Sequence, residues 1–290
     1  MQQLNGFILK GIGGFYYVET AFGVFECKAK GRFRKERITP LAGDRVTITV
    51  REDKDNTVDE ILPRKNALRR PPVANIDQLL LVVSTVSPVP NVLVLDRMTA
   101  IAEKAGIVPL IVVSKDDLSP AQPLLDVYRT TGYRVFLNTE LDAVRDALRG
   151  KTTALSGNSG VGKSTLLNAL DPSLKLATNE ISEKLGRGKH TTRQAEVFHV
   201  AGGLAVDTAG FSSLDLFAND GIQKEDLAEL FPEFRPYLGQ CRFTSCAHIG
   251  EQGCKICEMV DAGVISGSRH RSYVAMYEAA KAVKPWEIRQ

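Results

Sequence analysis

No run of apolar residues in this 290-residue chain is long enough to cross a bilayer. The opening stretch MQQLNGFILKGIGG has no basic segment leading into an apolar core, so no secretory signal and a cytoplasmic location are expected. Neither charge sign dominates: 37 basic and 34 acidic residues leave a net +3, which does not by itself demand a nucleic-acid partner. Cysteine is scarce, five residues in all, but four of them fall between Cys241 and Cys257. In a reducing compartment that grouping argues against disulfides and for metal. A hydrophobic content of 43% and a charged content of 24% are those of a folded globular protein, and the length suggests two or three domains.

What the chain does carry is Gly157-Asn158-Ser159-Gly160-Val161-Gly162-Lys163-Ser164, a match to the phosphate-binding pattern G-x-x-x-x-G-K-[ST]. Thr152 to Ser156 reads as a short buried strand and Lys163 to Leu170 as the start of a helix, the setting this loop requires. Glycines let successive backbone N–H groups face one anion, and the helix N-terminus adds partial positive charge. Lys163 is the candidate for the β- and γ-phosphates and the Ser164 hydroxyl for Mg2+, with Thr165 in the same turn.

Residues 1–66 are rich in aromatic, β-branched and glycine residues. Phe7 to Leu9, Phe15 to Val18, Val24 to Cys27 and Arg45 to Val50 read as strands, separated by turn residues at 11–14, 23 and 43–44. No helical period is evident. About five short strands in this length predict a small closed β-barrel, for which an OB-fold is a common solution. Between Lys28 and Arg37 stand six basic residues and one acid. Phe33 lies among them, either as a stacking ring beside phosphate-binding cations or as a core residue. Arg64, Lys65, Arg69 and Arg70 form a second basic group, and Arg69-Arg70-Pro71-Pro72 makes a stiff boundary.

Over residues 73–218 the pattern changes. Leu79 to Ser84 and Val108 to Ser114 are nearly continuous apolar runs, expected as parallel strands buried on both faces. Helices are expected over Leu93 to Ala105, Leu124 to Thr131 and Leu141 to Leu148, and a strand over Tyr133 to Leu137. Such alternation predicts a doubly wound α/β sheet. Ser114-Lys115-Asp116-Asp117 closes the second apolar run and is similar to [NT]-K-x-D, the guanine-reading signature of GTPases. Asp117 can accept from both N1–H and the 2-amino group of guanine, a donor pair adenine lacks, while the Lys115 stem lies along the base. Ser114 stands where Asn or Thr is usual and keeps a hydroxyl. Asp207-Thr208-Ala209-Gly210 is similar to D-x-x-G and follows an expected strand over Gly203 to Val206. The order is therefore guanine motif, phosphate loop, D-x-x-G, a circular permutation of the usual arrangement.

Asp207 is expected near Mg2+ through water, and the Gly210 N–H near the γ-phosphate. Between these motifs, Gly186 to Arg193 is basic and glycine-flanked, suited to a loop ordered by γ-phosphate and Mg2+. Thr191 or Thr192 is a candidate metal ligand. His190 is a candidate for orienting water, for contacting RNA, or for lying in solvent. Phe211 occupies the place where many GTPases carry a water-orienting glutamine, so slow intrinsic hydrolysis is expected unless a partner supplies that group.

Residues 219–290 begin with an expected helix from Gln223 to Phe231, stopped by Pro232. Then comes Cys241-x4-Cys246-x-His248-x5-Cys254, three thiolates and an imidazole that make a closed tetrahedral set for a structural Zn2+. A metal would substitute for core in so short a segment. Cys257, spaced C-x-x-C from Cys254, is a fifth candidate. A terminal helix is expected over Ser268 to Val283, with Arg269, His270 and Arg271 in a first turn where cations oppose the helix dipole and either an external phosphate or solvent answers them.

Taken together, the linker from Asn66 to Pro72, Lys115 to Asp117, Gly157 to Ser164, Gly186 to Arg193, Asp207 to Ser212 and the cysteine cluster resemble the ribosome small-subunit-dependent GTPase A family, nearly end to end. The resemblance implies an OB-fold domain (1–66), a circularly permuted GTPase domain (73–218) and a helical zinc-binding domain (219–290). It implies hydrolysis of GTP to GDP and phosphate with Mg2+. It also implies one structural zinc per chain that uses Cys254 and leaves Cys257 free. The implied partner of this monomer is the small (30S) ribosomal subunit with its 16S rRNA, which stimulates hydrolysis and is served in its late maturation. Ala209 stands where the family usually has proline.

Overall fold

The computed structural model describes residues 1–52, 54–69, 72–175, 195–207 and 221–282; the side chains of Arg69 and Asp207 lie outside that description. Strands β1 (Gln2–Ile12), β2 (Phe15–Thr20), β3 (Gly23–Ala29), β4 (Arg45–Val50) and β5 (Asn56–Ile61) close into a barrel of order β1-β2-β3-β5-β4. β1 pairs antiparallel with β4, and β3 runs parallel to β5, the closure of an OB-fold. The barrel is filled by Leu4, Ile8, Val18, Cys27, Val46, Ile48 and Val58.

In this region one expectation changes and one open alternative is decided. Gly31–Lys35 forms a short helix, α1, where no helical period was legible, because five residues are too few to show one. It exists to place Phe33, which is only 4% exposed and joins the barrel core, so Phe33 is not a free stacking ring. Burying a phenyl ring is worth roughly 2–3 kcal/mol, more than an idle surface ring returns. The flanking Arg34, Lys35 and Arg37 stay exposed. Arg64 is also structural. Its Nε and Nη2 donate to the two oxygens of the fully buried Asp44 at 2.7 and 2.8 Å, and Nη2 donates to the Thr39 carbonyl at 2.7 Å. Lys65 pairs with Asp77 at 2.8 Å. Both cations are thus paired with carboxylates at the barrel exit.

A ribbon of β6 (Ala67–Arg69) and β7 (Pro72–Ala74) follows. The chain then alternates: β8 (Gln78–Ser84), α2 (Val92–Lys104), β9 (Val108–Ser114), α3 (Gln122–Tyr128), β10 (Arg134–Leu137), α4 (Leu141–Leu148), β11 (Thr152–Ser156), α5 (Lys163–Leu170), β12 (Glu196–Val200) and β13 (Gly203–Asp207). The sheet order is β10-β9-β8-β11-β13-β12. Every residue of β8 is buried and all of β9 except Val108, which is why both strands read as apolar runs without alternation. Gln78 opens β8 as a buried polar side chain, and its amide donates to the Ala147 carbonyl and the Thr153 hydroxyl, each at 2.9 Å. β12 pairs antiparallel with β13 as an edge strand.

The chain groups into two compact units, Met1–Leu79 with Leu141–Ser156 and Lys163–Phe211, and Leu80–Glu140 with Gly157–Gly162 and Ser212–Gln290. The second unit ends in α6 (Lys255–Asp261) and α7 (Gly267–Ala282). The helix expected from Gln223 to Phe231 is a single 3₁₀ turn, Leu227–Leu230. Its i, i+3 spacing buries Leu227 and Leu230 on one side, and Pro232 stops it. The first turn of α7 also differs from expectation. Arg269 is fully buried: Nη1 meets Asp96 Oδ1 at 2.6 Å and Nε meets Glu233 Oε1 at 2.6 Å. Thr99 Oγ1 lies 3.2 Å from Nη1, and the Phe231 ring lies 4.5 Å from the guanidinium carbon. Internal carboxylates therefore answer this cation, and neither solvent nor an external anion does. Among the described residues no helix is long and apolar enough to cross a membrane.

Candidate functional site

β11 ends at Ser156 and the chain turns at Gly157. There φ is 149°, and a Cβ would stand 2.3 Å from the Val82 carbonyl oxygen, so only glycine fits. Positive φ recurs at Gly160 and Gly162, while Asn158, Ser159 and Gly160 are exposed around the buried Val161. α5 starts at Lys163 and has no acidic residue in its first turn, so no carboxylate of its own offsets its positive end. Ser164 is buried in that turn and Thr165 is exposed. Asp207 ends β13 opposite Leu155 of β11, in parallel register. The D-x-x-G acid thus leaves its strand beside the one that feeds the phosphate loop. Thr208, Ala209, Gly210 and Phe211, and the segment 186–193 with His190, Thr191 and Thr192, lie outside the described residues.

β9 brings the guanine-like motif to the loop. Ser114 is 3% exposed, and its hydroxyl donates to the Val161 carbonyl at 2.6 Å; the Val83 carbonyl lies 3.3 Å from the same oxygen. Lys115 follows with φ of 62°. Its carbonyl accepts the N–H groups of Leu118 and Ser119 and the Thr85 hydroxyl. Its ammonium donates to the Ser87 carbonyl. Asp116 is committed to the chain, accepting the Ala121 N–H at 2.6 Å just ahead of α3. Asp117 is exposed on the same turn. No motif pattern singles out Thr85. The available signal is a polar Ser84-Thr85 pair closing an otherwise apolar strand.

The second cluster is the cysteine set. The ligand atoms of Cys241, Cys246, His248 and Cys254 all lie within 4.8 Å of one another. His248 Nδ1 is 3.5 Å from the Cys241 sulfur and 3.6 Å from that of Cys254, and the two sulfurs are 3.9 Å apart. Bonds of about 2.3 Å to sulfur and about 2.0 Å to nitrogen give tetrahedral edges of about 3.8 Å and 3.5 Å, so the donor set fits a zinc ion. Burial pushes the Cys246 thiol up to about 12 and Cys254 to about 11, and lowers His248. A bound cation is what would let these thiols ionise. Cys257 stands outside the four, its sulfur 4.0 Å from His270 Nε2.

The loop carrying His248 is tightly held. Glu251 accepts N–H groups from Ala247, Ile249 and Gly250 at 2.8, 2.9 and 3.2 Å. Burial raises this carboxyl, but the backbone donors outweigh it and hold it at about 2. From α7, Tyr273 donates to the Ala247 carbonyl at 2.7 Å, and His270 Nε2 lies 2.7 Å from the His248 carbonyl oxygen.

Comparison with known proteins agrees with this arrangement. A family model described as RsgA GTPase matches residues 61–217, and one described as RsgA N-terminal domain matches residues 5–58. The chain is 43% identical to the small ribosomal subunit biogenesis GTPase RsgA of Geobacillus kaustophilus (strain HTA426), covering 97% of this chain and 99% of that protein. For the protein of the same name from Geobacillus thermodenitrificans (strain NG80-2) the identity is 44%, with the same coverage. Among solved structures, YloQ, described as a circularly permuted GTPase, matches with a TM-score of 0.79 at 35% identity, covering 98% of this chain and 97% of that one. YjeQ from Thermotoga maritima matches with a TM-score of 0.79 at 30% identity, covering 98% of this chain and all 100% of that one. With a family model matched over more than half of its length and relatives 43–44% identical over 97% of it, the chain belongs to the RsgA GTPase family.

Proposed function

We propose that this protein is a GTPase that binds the small ribosomal subunit, acts in its late maturation, and hydrolyses GTP to GDP and phosphate under stimulation by that subunit. The names of its relatives supply the partner. The observation that carries the chemistry is the Ser114 to Val161 hydrogen bond, which joins a base-reading motif to a phosphate loop 47 residues away.

In this reading the loop N–H groups of Gly157 to Gly162 and the Lys163 ammonium hold the phosphates, and Thr165 extends the same turn. Ser164, with Thr191 or Thr192, would hold Mg2+, and Asp207 would act on it through water. When bound, Mg2+ neutralises charge on the β- and γ-phosphate oxygens. The Gly210 N–H senses the γ-phosphate, and His190 orients the attacking water. Ser114, Lys115 and Asp117 make the base pocket. The Cys241, Cys246, His248 and Cys254 set holds a structural zinc, one per chain. Exposed Arg34, Lys35 and Arg37 face rRNA phosphates. The protein works as a cytoplasmic monomer.

Phosphate release from GTP, with and without purified small subunits, tests the proposal. Strong stimulation is expected. Tight GTP-sensitive binding with no added turnover would make the protein a ligand-sensing switch instead. Asp117→Asn should weaken GTP relative to ATP, and unchanged selectivity would remove the guanine assignment.

A further inference from the structure

Thr85 stands where β8 runs out, outside every nucleotide-binding pattern in the sequence. Its backbone N–H donates to the Ser114 carbonyl at 3.0 Å, and its hydroxyl donates to the Lys115 carbonyl at 2.6 Å. Both acceptors belong to the turn that presents Asp117. Lys115 sits in the left-handed region at φ 62°, which a residue with a Cβ adopts only where its surroundings hold it. The carbonyl that Thr85 grips is also the pivot of that turn. It accepts the Leu118 N–H at 3.0 Å and the Ser119 N–H at 3.3 Å, so the chain reverses around it with Asp117 at the third position. The Lys115 ammonium on the Ser87 carbonyl and Asp116 on the Ala121 N–H tie down side chains of this turn. The Ser114 hydroxyl on Val161 and the Thr85 N–H and hydroxyl fix its entry, and of these the Thr85 hydroxyl alone joins the two N–H groups on the Lys115 carbonyl.

We propose that Thr85 is a positioning residue for base recognition: its hydroxyl fixes the Lys115 peptide and so sets the aim of Asp117. The inference rests on the proposal that Asp117 reads guanine. Thr85 acts through the turn and touches no nucleotide. Valine has nearly the same shape but cannot donate, and serine can donate with one methyl fewer. The three residues therefore separate the hydroxyl from the packing.

The test uses the full chain, freed of nucleotide, as wild type, Thr85→Val, Thr85→Ser and Asp117→Asn. Dissociation constants are measured for GDP and for IDP, whose base lacks the 2-amino group, and pyrophosphate is measured as a competitor. The ratio of IDP to GDP constants reports the Asp117 contact, and pyrophosphate reports the phosphate loop. Thr85→Val is expected to weaken GDP by about tenfold, the loss of one well-placed hydrogen bond. IDP should fall less, so that the ratio shrinks, while pyrophosphate stays unchanged and Thr85→Ser recovers most of the loss. Equal losses for GDP, IDP and pyrophosphate would mean general loosening and would overturn the assignment. So would an unchanged ratio in Thr85→Val when Asp117→Asn collapses it. An unchanged ratio in Asp117→Asn itself would instead remove the base-reading role on which Thr85 depends.

Discussion

Replacing Arg269 with methionine keeps most of the side-chain volume and removes the charge. Two carboxylates that are 0% and 1% exposed, Asp96 and Glu233, would then remain without their cation. Breaking a buried pair in this way costs about 3–5 kcal/mol, mostly the penalty of the stranded charge and not the worth of the bond. The cost should depend on pH. Burial pushes the Asp96 carboxyl up, and Arg269 is the foremost group opposing that rise. An acid whose folded pKa exceeds its unfolded value binds more protons when folded, so ionising it removes stability as pH climbs from about 3.9 upward. Without Arg269 the folded value rises further, and the deficit at about pH 8 should exceed that at about pH 5. Urea unfolding at both values, with amide exchange followed in α2 and α7, measures it. Equal midpoints for variant and wild type, or a deficit that shrinks with rising pH, would refute the reasoning.

Three further variants have expected outcomes. Gly157→Ala brings a Cβ within 2.3 Å of the Val82 carbonyl, so nucleotide binding measured by calorimetry should be lost while circular dichroism stays native. Glu251→Gln weakens the acceptor shared by three N–H groups of the His248 loop, and chelator competition should show about a tenfold loss of metal affinity. Because the Glu251 carboxyl is held down at about 2, its stabilising effect is complete above 4.5 and fades as pH falls towards 2, so variant and wild type should converge in acid. Phe33→Ala empties part of the barrel core and should cost about 3–5 kcal/mol by thermal unfolding; a shift within error would return Phe33 to the surface.

The parts of the site written as contiguous patterns were legible because each is a local backbone device. Gly157 to Ser164 must turn and start a helix wherever it occurs, and Leu79 to Ser84 is apolar because both sheet faces are covered. The cysteine spacing was equally readable, since four donors around one point leave few alternatives. Residues that act across the chain were not legible. Arg269 looked like a surface cation because its partners lie 36 and 173 residues away. Thr85 shares no pattern with Lys115, thirty positions on. The place of Phe33 stayed open and the 3₁₀ turn at Leu227–Leu230 was misread for a different reason: both lie in segments too short for a period, and packing decided them.

The pairing of Asp96 with Arg269 also has a temporal side. At about 5–20 residues per second of synthesis, the 173 positions between them take roughly 10–30 s to make. For that interval the α2 carboxylate has left the translating machine without its guanidinium and must keep its hydration water. The unit that holds Asp96 thus reaches its final packing only after α7 has been made, so its interior is finished late and not as α2 emerges.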